Sequence, residues 1–178
     1  MYGIGCDPAR TDAIARIYEL KGRDERKPLS LHVASVEEAL EFAGDDRLAT
    51  LAIRRLLPGP VTLIVRRPSF IDQRMTSGFS TMGLRVPDHP LCRDILDRCG
   101  PLAATSANRS GSPAFVGEGG RAALPDADAF VDAGPTPYRA ESTIVDVSAG
   151  DFRVVREGVA PVADLERKLW PNGRPLGW

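Results

Sequence analysis

The stretch that most constrains this chain is Leu102-Ala103-Ala104-Thr105-Ser106-Ala107-Asn108-Arg109-Ser110-Gly111, an apolar run that stops abruptly in small polar residues and ends in glycine. Gly100-Pro101 breaks the chain just before it, and the Ser, Asn and Gly after it favour turns, so the run reads as a buried strand feeding a tight loop. Two readings of that loop stay open. It is an ordinary polar turn, or it faces an anion: Ser106, Asn108 and Ser110 carry side-chain donors, Gly111 permits close backbone approach, and successive N–H groups in such a turn form an anion-binding nest.

A buried strand needs a core around it. With 178 residues, 43% of them hydrophobic, the chain can build one full core and is short for two. Basic and acidic residues nearly cancel, 23 against 24, which does not suggest a protein held mainly by nucleic-acid phosphates or an anionic membrane; any basic site must be local. Cys6, Cys92 and Cys99 are odd in number and lack a Cys-x-x-Cys pair, so neither a disulfide framework nor a zinc ribbon is indicated. No apolar stretch approaches transmembrane length, and the first residues lack the basic start and apolar core of a signal peptide. The expectation is a soluble, cytoplasmic protein with no membrane partner.

In chain order, the glycine-spaced entry Tyr2 to Pro8 leads to Thr11 as an N-cap and a helix bearing Ile14, Ile17, Tyr18 and Lys21 on neighbouring turns, ended by Gly22. Lys21, Arg23, Arg26 and Lys27 then form a dense cationic cluster, either a solvated turn complementing the helix dipole or a polyphosphate clamp. Leu29 to Val33 reads as a strand with His32 near its end, and Ser35 with Glu38 forms a capping box. A helix over Arg47–Leu57 precedes Val61 to Val65, an interior strand rich in β-branched residues. After an irregular stretch, Thr81 to Pro87 reads as a strand whose alternation puts Leu84 and Val86 on one face and Arg85 on the other. A helix between Pro90 and Gly100 delivers the chain to the opening strand. Ala114 to Pro125 reads as a glycine-rich lid, Ala129 to Asp132 as a short strand, and Ser142–Val147 with Phe152–Arg156 as a hairpin turning at Gly150-Asp151. Residues 1–160 form the main domain; 161–178 form a last helix from Pro161 to Leu169 and a tail from Trp170.

Five motifs occur in order: Leu20-Lys21-Gly22-Arg23 with Lys27-Pro28-Leu29, Leu57-Pro58-Gly59-Pro60-Val61-Thr62-Leu63, Gly83-Leu84-Arg85-Val86-Pro87, Ser106-Ala107-Asn108-Arg109-Ser110-Gly111, and Glu141-Ser142-Thr143-Ile144-Val145-Asp146. From Tyr2 to about Gly158 the chain resembles the YrdC-like family of threonylcarbamoyl-AMP synthases, of the short, single-domain type. The resemblance implies an α/β fold: a twisted, open, mixed sheet with flanking helices around a basic cavity. It implies a reaction in which L-threonine, bicarbonate and ATP give threonylcarbamoyl-AMP and pyrophosphate for tRNA threonylcarbamoyladenosine, with Mg2+ accompanying ATP. It names partners too: threonylcarbamoyl-transfer proteins downstream, and tRNA or double-stranded RNA. By resemblance, Lys21, Arg23, Ser106 and Asn108 form the catalytic core. Arg23, Lys27, Thr81, Ser106 and Arg156 fall where the family contacts ATP. His32, Arg85, Ala104 and Ser142 fall where it holds threonine, with Arg85 pairing the carboxylate. That division suits the chemistry, because an N-carboxylated threonine must approach a triphosphate although both are anionic.

Two departures qualify the resemblance. In the family a Pro-Thr-x-Thr stretch runs into the tyrosine matching Tyr2, whereas here only Met1 precedes it. The expectation is that a substrate-holding threonine and a central strand are missing, so that the start lies upstream or this form is impaired; the alternative function is an RNA-binding module of the same fold. Ala114 stands where many relatives place a serine near the nucleotide, a lost hydrogen bond of about 0.5–1.5 kcal/mol. A related domain in hydrogenase-maturation carbamoyltransferases comes with acylphosphatase, zinc-finger and transferase regions, none of which this sequence contains.

Overall fold

The computed structural model describes residues 1–118 and 124–174 of the chain. Seven strands, β1 (Gly3–Cys6), β2 (Ser30–His32), β3 (Val61–Arg66), β4 (Thr81–Arg85), β5 (Leu102–Ser106), β6 (Thr143–Asp146) and β7 (Arg153–Arg156), form one mixed sheet in the order β1-β5-β2-β4-β3-β6-β7. β2 runs parallel to β4 and β3 parallel to β6; the other neighbours are antiparallel. The expected α/β architecture is what forms, and its interior strands are all paired on both sides. The expected loss of a central strand therefore leaves no gap among the described residues.

Period-2 alternation gives the sheet two chemically different faces. Leu31, Leu63, Val65, Met82, Leu84, Ala103 and Val145 turn to one side, each at most 1% exposed. Five helices complete the core: α1 (Thr11–Lys21), α2 (Val36–Leu40), α3 (Arg47–Leu56), α4 (Pro90–Cys99) and α5 (Val162–Leu169). Ile14, Ile17 and Tyr18 of α1, Leu48, Ala52 and Ile53 of α3, and Leu165 and Leu169 of α5 join the strand residues in one buried cluster. Trp170, expected to begin a tail, instead packs edge-on against Phe152 within that cluster.

Capping sets the helix limits. Asp46 accepts from Leu48 N and Ala49 N at the start of α3. Ser35 Oγ accepts from Glu38 N at 3.0 Å, as the capping box predicts, although Glu38 closes the box one residue early by accepting from Ala34 N. Arg10, not Thr11, occupies the N-cap of α1; its extended backbone hands helical geometry to Thr11, and no side chain caps that end.

Two further expectations change. Gly3–Cys6, read as a mere entry, is edge strand β1, laid so close to β5 that a Cβ on Gly5 would meet Ala103 O at 3.3 Å. Ala129–Asp132 forms no strand, because its groups are used sideways: the Phe130 ring stacks on Tyr2 and the Asp132 carboxylate accepts from the Tyr2 hydroxyl. Tyr2 also bonds Phe115 O and Ala107 N through its backbone, so one residue ties the edge strand to the loops on both sides. Of the expected lid, residues 114–118 are described; Thr136 N donates to Val116 O, and Glu118 pairs with Arg139. The rest of the lid through residue 123, and residues 175–178 of the expected tail, lie outside the described residues.

Candidate active site

The second face of the sheet is floored by Gly3 and Gly5 of β1, Leu102, Ala104 and Ser106 of β5, Ser30 and His32 of β2, Thr81, Gly83 and Arg85 of β4, and Thr62 of β3, brought level by the strand registers. Apart from Leu102 these residues are small or polar, the opposite of the core face. Cationic groups stand at its two ends.

At one end α1 delivers Lys21. Gly22 takes the left-handed conformation (φ 56°), which turns the chain so that Arg23 N bonds back to Tyr18 O. Lys21 is 2% exposed, so the reading of a merely solvated turn fails for it. Its ammonium donates to Ser106 O and, at 2.5 Å, to Asn108 O, while Ser110 N donates to Lys21 O at 2.8 Å. The loop after β5 is thereby wrapped around one buried cation. Burial, with Arg23 nearby, pulls the ammonium down from 10.5 to about 8, Glu141 opposing. Arg23 braces its own turn by donating to Lys27 O and Pro28 O, each at 3.1 Å, and Tyr18 donates to Lys27 O as well. Lys27 is exposed. Asn108 Nδ2 donates to Arg109 O and Ser112 O, whereas its Oδ1 is enclosed without a donor. A cleft of about 460 Å3 opens beside this loop, lined in part by Arg109, Ser112, Ala114 and Phe115.

At the other end His32 and Arg85 are register partners on parallel β2 and β4. Burial first, then the charge of Arg85, push the imidazole down to about 3, so His32 is a neutral hydrogen-bonding group. Arg85 is held below its ordinary value by burial and by Arg156. Among the described residues its enclosed Nε has no hydrogen-bond partner and no carboxylate pairs with it. Ser142, which leads into β6, is 8% exposed and shares a 2.9 Å hydroxyl bond with Thr62. Arg156 donates to the Glu141 carboxylate and to Ser142 O, and so adjoins this end. Ala104 lies level with Ser30 on the floor, where a larger side chain would fill the face.

Thus Lys21, Arg23, Ser106 and Asn108 gather at one end, and His32, Arg85, Ser142 and Arg156 at the other, with Ala104 and Gly83 between. Thr81 sits level with the Ser106 end. Three participants were not singled out from sequence. Thr62 and Glu141 lay inside quoted motifs, and Glu141 acts on Lys21 and Arg23 while pairing Arg156. Tyr18 was visible only as an apolar helix position.

Comparison with known proteins bears on what such a face does. The Sua5/YciO/YrdC family model, described as telomere recombination, matches residues 1–158. A Methanocaldococcus jannaschii relative is 34% identical over 169 residues, covering 94% of this chain and 80% of its own length. The Bacillus subtilis threonylcarbamoyl-AMP synthase is 34% identical over 179 residues, covering 96% of this chain and 51% of that protein. The crystal structure of P. abyssi Sua5 complexed with L-threonine superposes with a TM-score of 0.83 at 30% identity, covering 94% of this chain and 50% of that one. The chain thus spans about half the length of the latter two.

Proposed function

This chain belongs to the Sua5/YciO/YrdC family, and from that premise we propose that it is a threonylcarbamoyl-AMP synthase working in the cytoplasm on L-threonine, bicarbonate and ATP. One observation carries the reading: a partly buried arginine, Arg85, without a carboxylate partner among the described residues, on the same face as the Lys21–Arg23 cluster. An enclosed cation without a counter-ion costs stability, and an incoming anion offsets that cost. The L-threonine carboxylate is such an anion, and the planar guanidinium suits it.

The spacing fits the product. Arg85 and Thr81 are four residues apart on β4, or ~13 Å at ~3.3 Å per residue. From the carboxylate carbon of threonylcarbamoyl-AMP to its phosphorus is ~6 Å of extended covalent chain, and a hydrogen-bonded contact of ~3 Å at each end brings the span to ~12 Å. Threonine held at Arg85, His32 and Ser142 therefore directs its nitrogen along the Ala104–Gly83 floor. There the neutral amine takes up the bicarbonate carbon with loss of water. An oxygen of the resulting carbamate then attacks the α-phosphorus, the bond to the β-phosphate breaks, and pyrophosphate leaves. Lys21, Arg23, Lys27, Thr81, Ser106 and Asn108 hold the phosphates and offset charge, and Arg156, beside Arg85 but linked to the Lys21 end through Glu141, adds charge from the threonine side; the step needs positioning and donors more than a strong base. Mg2+ brought by the nucleotide fits Glu141, the carboxylate acting on both Lys21 and Arg23, since this ion is commonly held by one or two carboxylates plus phosphates, and it would neutralise phosphate charge. The product, a reactive mixed anhydride, would pass to a threonylcarbamoyl-transfer protein that modifies tRNA.

The test is pyrophosphate release by the 178-residue chain with ATP, bicarbonate and magnesium, with and without L-threonine. Threonine-dependent release is expected. A folded chain that binds ATP and releases none overturns the reading, and salt-dependent RNA binding by that same chain would replace it with a binding role.

A further inference from the structure

The motif Leu57-Pro58-Gly59-Pro60-Val61-Thr62-Leu63 has no part in the chemistry above. Thr62, within β3, is 6% exposed, and its side chain is fixed from two directions. Its Cγ2 methyl lies 3.3 Å from the point where a Cβ on Gly83 would stand, and its Oγ1 lies 2.9 Å from Ser142 Oγ. Packing at Gly83 therefore turns the hydroxyl towards Ser142.

Each hydroxyl has one proton to donate. Ser142 Oγ is the partner of the Thr62 hydroxyl among the described residues, and either of the two can be the donor. Whichever way that bond runs, one proton of the pair is left without an acceptor, an arrangement that buried hydroxyls avoid and that an incoming carboxylate, which only accepts, relieves. A carboxylate at Ser142 takes the Ser142 proton and leaves Ser142 Oγ to accept from Thr62. The antiparallel register that pairs Leu63 with Leu84 and Ile64 with Gly83 sets Thr62 beside Arg85. Arg156 reaches the same place by donating to Ser142 O at 2.9 Å. The Thr62–Ser142 hydroxyl pair, with one proton to spare, and the Nε–H of Arg85, unpartnered among the described residues, thus stand near one another.

We propose that Thr62 is a positioning residue: by donating to Ser142 Oγ it commits Ser142 to act as a donor to the carboxylate of the bound amino acid. The inference rests on the threonine site of the proposed synthase, and its test separates the two. L-Threonine affinity is measured by calorimetry on the full chain, independently of turnover. Thr62→Val keeps shape and strand preference while removing the hydroxyl, and L-threonine should bind about tenfold more weakly, as for the loss of one hydrogen bond to a charged group. Thr62→Ser should restore affinity to within about twofold, and ATP affinity should move by less than about twofold in both. Ser142→Ala should match Thr62→Val, and the double variant should be no worse than Ser142→Ala alone, because the two hydroxyls act as one unit. 1-Aminopropan-2-ol, which is threonine without its carboxylate and offers no acceptor in its place, should bind wild type and Thr62→Val alike. Additive losses, failure of the serine variant to restore affinity, an equal loss for ATP, or the same tenfold loss for the amino alcohol would each overturn the role. A wild-type chain that binds L-threonine but releases no pyrophosphate overturns the reaction and leaves Thr62 to be judged on affinity; one that binds no L-threonine overturns both.

Discussion

The two ends of the polar face solve opposite problems. At the Lys21 end the cation is satisfied by the protein itself, through Ser106 O and Asn108 O, and holds the loop after β5 in place. At the Arg85 end a cation sits on the last residue of β4 with its Nε enclosed and, among the described residues, no carboxylate paired with it. The first arrangement contributes to folding whether or not a ligand arrives. The second is a cost until one does. The chain therefore carries one cation partnered by backbone carbonyls and one without a carboxylate partner among the described residues, at opposite ends of one surface, and their distinction lies in partners rather than in residue type.

Replacing Lys21 tests the larger half of this contrast. Lys21→Ala should lower threonine-dependent pyrophosphate release at least about 100-fold, because the loop bearing Ser106 and Asn108 loses its anchor as well as a charge. It should also lower the thermal midpoint, since Asn108 O loses its ammonium donor and Ser106 O is left with Asn108 N, at a cost of about 1–3 kcal/mol for the orphaned carbonyl. Arg85→Ala should weaken L-threonine by about 30-fold, near 2 kcal/mol, while leaving the thermal midpoint unchanged or higher. If both substitutions destabilise alike, the contrast between the two cations is broken.

Titration sharpens it with a smaller effect. Lys21 holds its proton to about pH 8 when folded, against an ordinary 10.5, so between those values the unfolded chain binds more protons and wild-type stability rises with pH relative to Lys21→Met. The same loss of charge should weaken ATP by about threefold between pH 7 and 9 in binding titrations. His32, at about 3, stays neutral throughout, so L-threonine affinity should be flat between pH 5 and 8. A threonine affinity that follows pH while ATP affinity does not would reverse the assignment of the ends.

Much of the architecture is legible locally. Asp46 and Ser35 announce helices through short-range caps, and Leu84 against Arg85 announces a strand with two unlike faces. β1 is obscure because its glycines carry no side-chain pattern; they are there for close approach to β5. Ala129–Asp132 misleads for the reverse reason, its strand-like composition serving Tyr2 instead. The candidate residues were named by motif, but their states were not. That Lys21 would be walled in by two carbonyls, that Arg85 would lack a carboxylate, and that Thr62 would hold a serine 80 residues away all depend on contacts distant in sequence.

Sheet order and chain order also set a timetable. Lys21 is translated early, yet the carbonyl that receives it at Ser106 lies 85 residues later, and β1 waits for the same segment. At roughly 5–20 residues per second the ribosome leaves both unpartnered for several seconds. A bare glycine-rich edge is a poor template for mispairing during that interval. The Lys21 end of the surface is therefore finished only when β5 emerges, while α1 and α3 can begin to form well before it.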